Sequence, residues 1–218
     1  MVVGRWSLQS DQPHLPHRPF PALARAARTL AFAVALLASG AARAAAQDVH
    51  VLVVTGVGGD EEHSTQFQKW AGAVVDSAKK HGVLAGNIAW LGEAPDKDPR
   101  ISARSSRDGV TKAFTDLAAK AKANDEIVVV LIGHGSFDGK TAAFNLPGPD
   151  LTADEYGTLL KRFPTQKIAF VNTTSSSGPF LQALAGPART IVTATHTQAE
   201  LSEALAILER VGKAHGLV

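Results

Sequence analysis

The run Glu126-Ile-Val-Val-Val-Leu-Ile-Gly133 constrains the fold more than any other stretch of this chain. It is apolar at both parities, so as a strand it has to be covered on both faces, which places it inside a sheet flanked by helices. Residues 168–171 (IAFV) read the same way. Shorter β-branched or apolar runs occur at 50–56 (HVLVVTG), 87–92 (NIAWLG) and 190–195 (TIVTAT), and the run around Ile168 extends over 167–172. The segments between them have helical period. Phe67, Trp70, Ala71, Val74, Val75 and Ala78 form one stripe, and Val110, Phe114, Leu117 and Ala121 form another. Thr152 stands three residues before Glu155, the spacing of a capping box, and predicts a helix start running through Leu159 and Leu160. Leu201, Ala204, Leu205, Leu208 and Val211 predict a last helix packed on the sheet. Five strands alternating with helices imply one α/β domain over 47–218, a three-layer sandwich with a five-stranded, mainly parallel sheet.

Residues 1–46 read differently. Leu30–Ala38 is an unbroken apolar run behind Arg25 and Arg28, and small residues lead to Ala44-Ala45-Ala46 ahead of Gln47, the pattern of a signal peptide cleaved at that point. About nine apolar residues are half of the roughly 20 a bilayer span requires, so no permanent membrane span is expected. The expected location is the periplasm or the medium of an exporting bacterium. Charge supports the division. The 46-residue leader holds five Arg and one acid, Asp11, which leaves 17 basic and 19 acidic side chains for the rest, and with them goes the main support for nucleic acid as a partner. There is no cysteine anywhere, which excludes disulfides, thiolate metal ligands and a thiol nucleophile.

In a doubly wound sheet the chemistry gathers at the carboxyl ends of the strands. Two of those ends carry it here. His134 lies between Gly133 and Gly135, which leave its imidazole uncovered and allow a backbone N–H to approach a substrate. Asn172 is followed by five hydroxyls, Thr173, Thr174, Ser175, Ser176 and Ser177. A histidine facing hydroxyls, with the Gly135 N–H as oxyanion donor, is an arrangement for acyl transfer.

On these residues the chain resembles the caspase-like fold of clan CD cysteine peptidases, and most of all bacterial legumain-like proteins. Val128-Val-Val-Leu-Ile-Gly-His134-Gly135 matches the strand that ends in the catalytic His-Gly pair, and Phe144 to Asp154 looks like the connection those proteins carry. The opening Gly56-Val-Gly-Gly-Asp-Glu-Glu also looks like theirs. The resemblance spans about residues 50–200 and implies His134 as base, Gly135 as oxyanion donor and a nucleophile at the strand end holding Thr173, Thr174 and Ser175. That nucleophile is a cysteine in the family. Its absence leaves two expectations: a pseudopeptidase that binds a peptide or protein partner, or a hydrolase using Ser175 or Thr174 with His134 as base. An alcohol is far less acidic than a thiol, so the second needs a group orienting the imidazole; Asp138 is four residues on and Glu200 follows the fifth strand. An α/β binding protein without peptidase ancestry is the third expectation.

Plainer alternatives stand beside each motif. His134 reads also as a strand-end histidine bonded to a carbonyl, and the hydroxyls as a helix N-cap ahead of Pro179. The run lacks the first glycine of Gly-x-Ser-x-Gly. Gly56-x-Gly58-Gly59 could cradle a phosphate, but Asp60, Glu61 and Glu62 would repel one and suit a helix start instead. His63, His134 and His196 lack ligand spacing, so neither a metal nor a cofactor is expected.

Overall fold

The computed structural model describes residues 47–194 and Ala206. The chain divides into two units, Met1–Ala46 and Gln47–Val218. The leader, His196, Glu200 and the helix expected over 201–211 lie outside the described residues. Among the described residues no helix is long and apolar enough to cross a membrane.

The elements in chain order are β1 (Val49–Thr55), α1 (Glu61–Lys80), β2 (Ile88–Gly92), β3 (Ala103–Arg104), α2 (Arg107–Lys120), β4 (Glu126–Ile132), β5 (Gly135–Phe137), β6 (Ala142–Phe144), β7 (Leu151–Thr152), α3 (Ala153–Leu160), β8 (Lys167–Asn172), α4 (Phe180–Leu184) and β9 (Arg189–Thr193). Six strands form one sheet in the order β3-β2-β1-β4-β8-β9, and every neighbouring pair is parallel. The sequence expectation of five strands is corrected by β3, whose two exposed residues carry no periodicity to read. Strands β5, β6 and β7 make a separate antiparallel sheet at the exit of β4.

Alternation along the strands sorts the core onto two faces. Val51, Val53, Trp90, Val130 and Ile132 pack with Phe67, Ala71 and Val75 of α1. Leu52, Val54, Leu91, Val129, Leu131 and Phe170 point the other way, onto Val110 and Phe114 of α2, Tyr156 and Leu160 of α3, and Phe180 of α4. Both parities of β4 are thus buried, as its composition requires. Trp70 departs from its stripe: it is 50% exposed, tilted against Phe67 with ring centroids 6.0 Å apart.

Helix starts follow local chemistry. The Asp60 carboxylate accepts from the His63 N–H at 2.8 Å and Glu61 and Glu62 fill the first turn of α1, so these acids serve the helix dipole. The Ser106 hydroxyl accepts from the Gly109 N–H, and Thr152 with Glu155 completes the capping box of α3.

After β3 the chain returns to the other side of β1, so the strand order reverses between β1 and β4. The crevice at such a switch point lies at the carboxyl ends of the two strands. The loop Gly56–Asp60 leaves one of them and His134 leaves the other.

Candidate functional site

His134 is half-buried beside α1. Its Nε2 lies 3.2 Å from the Gly58 carbonyl oxygen, an acceptor only, so Nε2 carries the proton and Nδ1 is the basic nitrogen. The ring meets Phe67 edge-on at 5.2 Å and His63 at 5.1 Å between centroids. The orienting group is therefore a backbone carbonyl, which sequence could not supply because any residue has one. Asp138 does not reach the imidazole: its carboxylate accepts from the Lys140 and Thr141 N–H groups in the β5–β6 turn, and these bonds hold it below the ordinary carboxylate value.

Gly58 is itself held. Its N–H donates to the Glu93 carboxylate at 3.1 Å, and the Ser64 hydroxyl donates to the same oxygen at 3.2 Å. A Cβ on Gly58 would lie 2.2 Å from Ser64 Oγ, and Gly59 adopts φ +81, so the turn depends on both glycines. With Glu93 on the loop amide, the phosphate reading of Gly56-x-Gly58-Gly59 meets the protein's own anion. Asn145 closes the other flank, accepting from the Val57 N–H and donating its own N–H to the His134 carbonyl, both at 3.1 Å. Neither Glu93 nor Asn145 carries a motif that singles it out.

The hydroxyl run lies alongside. Leu131 pairs with Asn172, and the Thr173 N–H and hydroxyl both donate to the Leu131 carbonyl, at 3.0 and 2.8 Å. Ser175 and Ser176 donate to the Gly135 carbonyl at 3.2 and 3.3 Å. The Ser177 hydroxyl is buried and accepts from the Ala194 N–H at 3.0 Å, joining the run to the exit of β9. These hydroxyls tie three strand ends together rather than capping a helix, since the N-cap of α4 is Pro179, with no side-chain cap. Thr174 is fully buried against Gly135, where a Cβ would fall 2.7 Å from Thr174 Oγ1. A buried hydroxyl meets no substrate from solvent. Ser175 is exposed, so it is the one of the two candidates that a substrate can reach.

The sequence marks His63 only as a candidate metal ligand, yet it is an imidazole oriented by a carboxylate at this edge. The Asp60 carboxylate accepts from His63 Nδ1 at 2.7 Å, and bonds from the His63 backbone and ring hold Asp60 below the ordinary carboxylate value. Among the described residues no cluster of three or more His, Cys, Asp or Glu could hold a metal ion. In comparisons with known proteins no family model and no curated sequence matches this chain, and any kinship rests on the residues described above.

Proposed function

We propose that residues 47–218 form a caspase-like, three-layer sandwich of the legumain-like kind, exported behind the leader, which keeps the His-Gly pair but binds a peptide or protein partner without cleaving it. One observation carries this reading. At the switch point a histidine oriented by a backbone carbonyl stands beside strand-end hydroxyls, but the hydroxyl of Ser175 gives its proton to the Gly135 carbonyl. That bond points the proton away from a base, and an alcohol without a base is a poor nucleophile at neutral pH. The chain has no thiol to take its place. The exposed aromatics Trp70 and Phe137 offer a partner contact area: Trp70 leans on Phe67, which touches His134, and Phe137 follows His134 by three residues.

The test is peptide and ester hydrolysis by the purified chain, beside binding of a peptide library to wild type and to Trp70→Ala. Wild type is expected to be inert, with captured peptides released by Trp70→Ala. Hydrolysis lost in both His134→Ala and Ser175→Ala would reverse the assignment to a serine hydrolase. Ser175→Cys probes the missing sulfur, and activity appearing there shows that base and cleft persist.

A further inference from the structure

At the opposite side of the domain, a cavity of about 390 Å³ opens between α2 and the strands β1, β2 and β3. Its floor and wall are apolar: Leu52, Ala89 and Leu91 from the sheet, Ala113 and Leu117 from α2. Ala89, Ala113 and Leu117 are only half-buried. Such a volume is within the range of small-molecule sites.

Two of the polar lining groups are His50, at the start of β1, and Lys120, at the end of α2. His50 lines the cavity and is 1% exposed; its Nε2 is bonded to Asp125 at 3.0 Å, and its Nδ1 has no hydrogen-bond partner among the described residues. Lys120, at the end of α2, donates to the Gly86 carbonyl and pairs with no carboxylate among the described residues. Lys112, also on the lining, has its carboxylate in Asp116, one turn on along the helix. Thus an apolar slot has on its lining one ammonium with no carboxylate partner among the described residues, and one buried imidazole nitrogen that accepts while the Nε2–H serves Asp125.

We propose that this cavity binds a monocarboxylate with an unbranched aliphatic or arylalkyl body, the body between α2 and Leu52 and Leu91, the carboxylate on Lys120. The occupant is anionic because the charged lining is Lys112, Asp116 and Lys120: Asp116 pairs with Lys112, and Lys120 is left without a carboxylate partner among the described residues. It is a small molecule because the apolar lining is a slot under one helix rather than an exposed face. This site is independent of the carboxyl edge of the sheet and of the function proposed for it.

The experiment is titration of the full chain with sodium octanoate and, separately, octanol, followed by methyl NMR shifts of Leu52, Leu91 and Leu117. Octanoate is expected to saturate with shifts confined to these residues, and to bind about fivefold to tenfold tighter than octanol, the worth of one charge-assisted contact. Lys120→Glu, at an exposed position, is expected to remove that preference, and Ala113→Phe, which fills the slot, to abolish both ligands. Shifts that fail to saturate, or binding unchanged in Ala113→Phe, would overturn the site. Equal affinity for octanol and octanoate in wild type would overturn the anionic assignment. If Ala113→Phe does not melt cooperatively, Lys120→Glu decides.

Discussion

His50 and His134 sit at opposite ends of neighbouring strands and are built for different tasks. His50 is buried at the amino end of β1 against a carboxylate that also accepts from the Asp48 and Lys122 N–H groups, at 3.1 and 2.8 Å. His134 is half-buried at the carboxyl end of β4, held by one carbonyl and two rings. A carboxylate thus orients the buried His50 at the amino end, where no hydroxyl run exists, whereas at the carboxyl end the carboxylate-oriented ring is the exposed His63, and His134, beside the hydroxyl run, has only a carbonyl. The Asp125 pair fixes structure, because a buried carboxylate satisfied by three donors costs much to disturb. Each ring keeps one nitrogen without a partner among the described residues, that of His50 buried and that of His134 on a half-buried ring, as a binding or catalytic edge requires.

The sharpest way to break this comparison is to delete each partner. Asp125→Ala strands His50 and two backbone N–H groups in the interior, with an expected loss of about 3 kcal/mol or more in urea unfolding. His134→Ala should cost under about 1 kcal/mol. Equal losses would show that His134 is a structural histidine too.

Acid titration separates the two ends next. Burial pushes the Asp125 carboxyl up, but the Lys122 N–H, the His50 ring and the Asp48 N–H outweigh it and hold it below the ordinary carboxylate value. The folded state thus binds this proton less readily than the unfolded state. Its stabilisation is complete above about pH 4 to 5 and is lost as pH falls through the depressed folded value. Thermal melts of wild type should decline over that window, and Asp125→Asn, destabilised throughout, should lose part of the slope. A slope unchanged by Asp125→Asn would assign acid sensitivity to other carboxylates.

A smaller effect tests the contact between the two motif strands. Gly135→Ala places a methyl 2.7 Å from Thr174 Oγ1 and 3.3 Å from the Ala143 carbonyl. Overpacking of this kind costs about 1–3 kcal/mol. Combining it with Thr174→Ala removes the closest atom, so a double-mutant cycle should show a coupling of about 1 kcal/mol. Strict additivity would mean that the Ala143 carbonyl alone sets the penalty. Smallest of all, Ser175→Ala should shift urea stability by less than about 0.5 kcal/mol, since its hydroxyl is exposed and shares the Gly135 carbonyl with Ser176.

Local chemistry written in consecutive residues was legible before any coordinates. The apolar parity of 127–132 made β4 central, and Thr152 with Glu155 specified a capped helix that forms as its spacing requires. The same holds for the placement of His134 beside the hydroxyl run, because two buried parallel strands rich in β-branched residues pair and their exits become neighbours. The strand β3 and the exposure of Trp70 escaped, the first because two residues have no period and the second because a stripe gives direction but not the width of the cover. What the sequence alone determined is thus the alternation of elements, their caps and the absence of a thiol. Only the tertiary structure decided which groups serve each histidine: Gly58 for His134, 76 residues away, and Asp125 for His50, 75 residues away. The physical reason is that capping and periodicity act within one or two turns of chain, whereas an imidazole's proton is placed by whichever acceptor the packed sheet brings within about 3 Å, and backbone carbonyls carry no mark in the sequence.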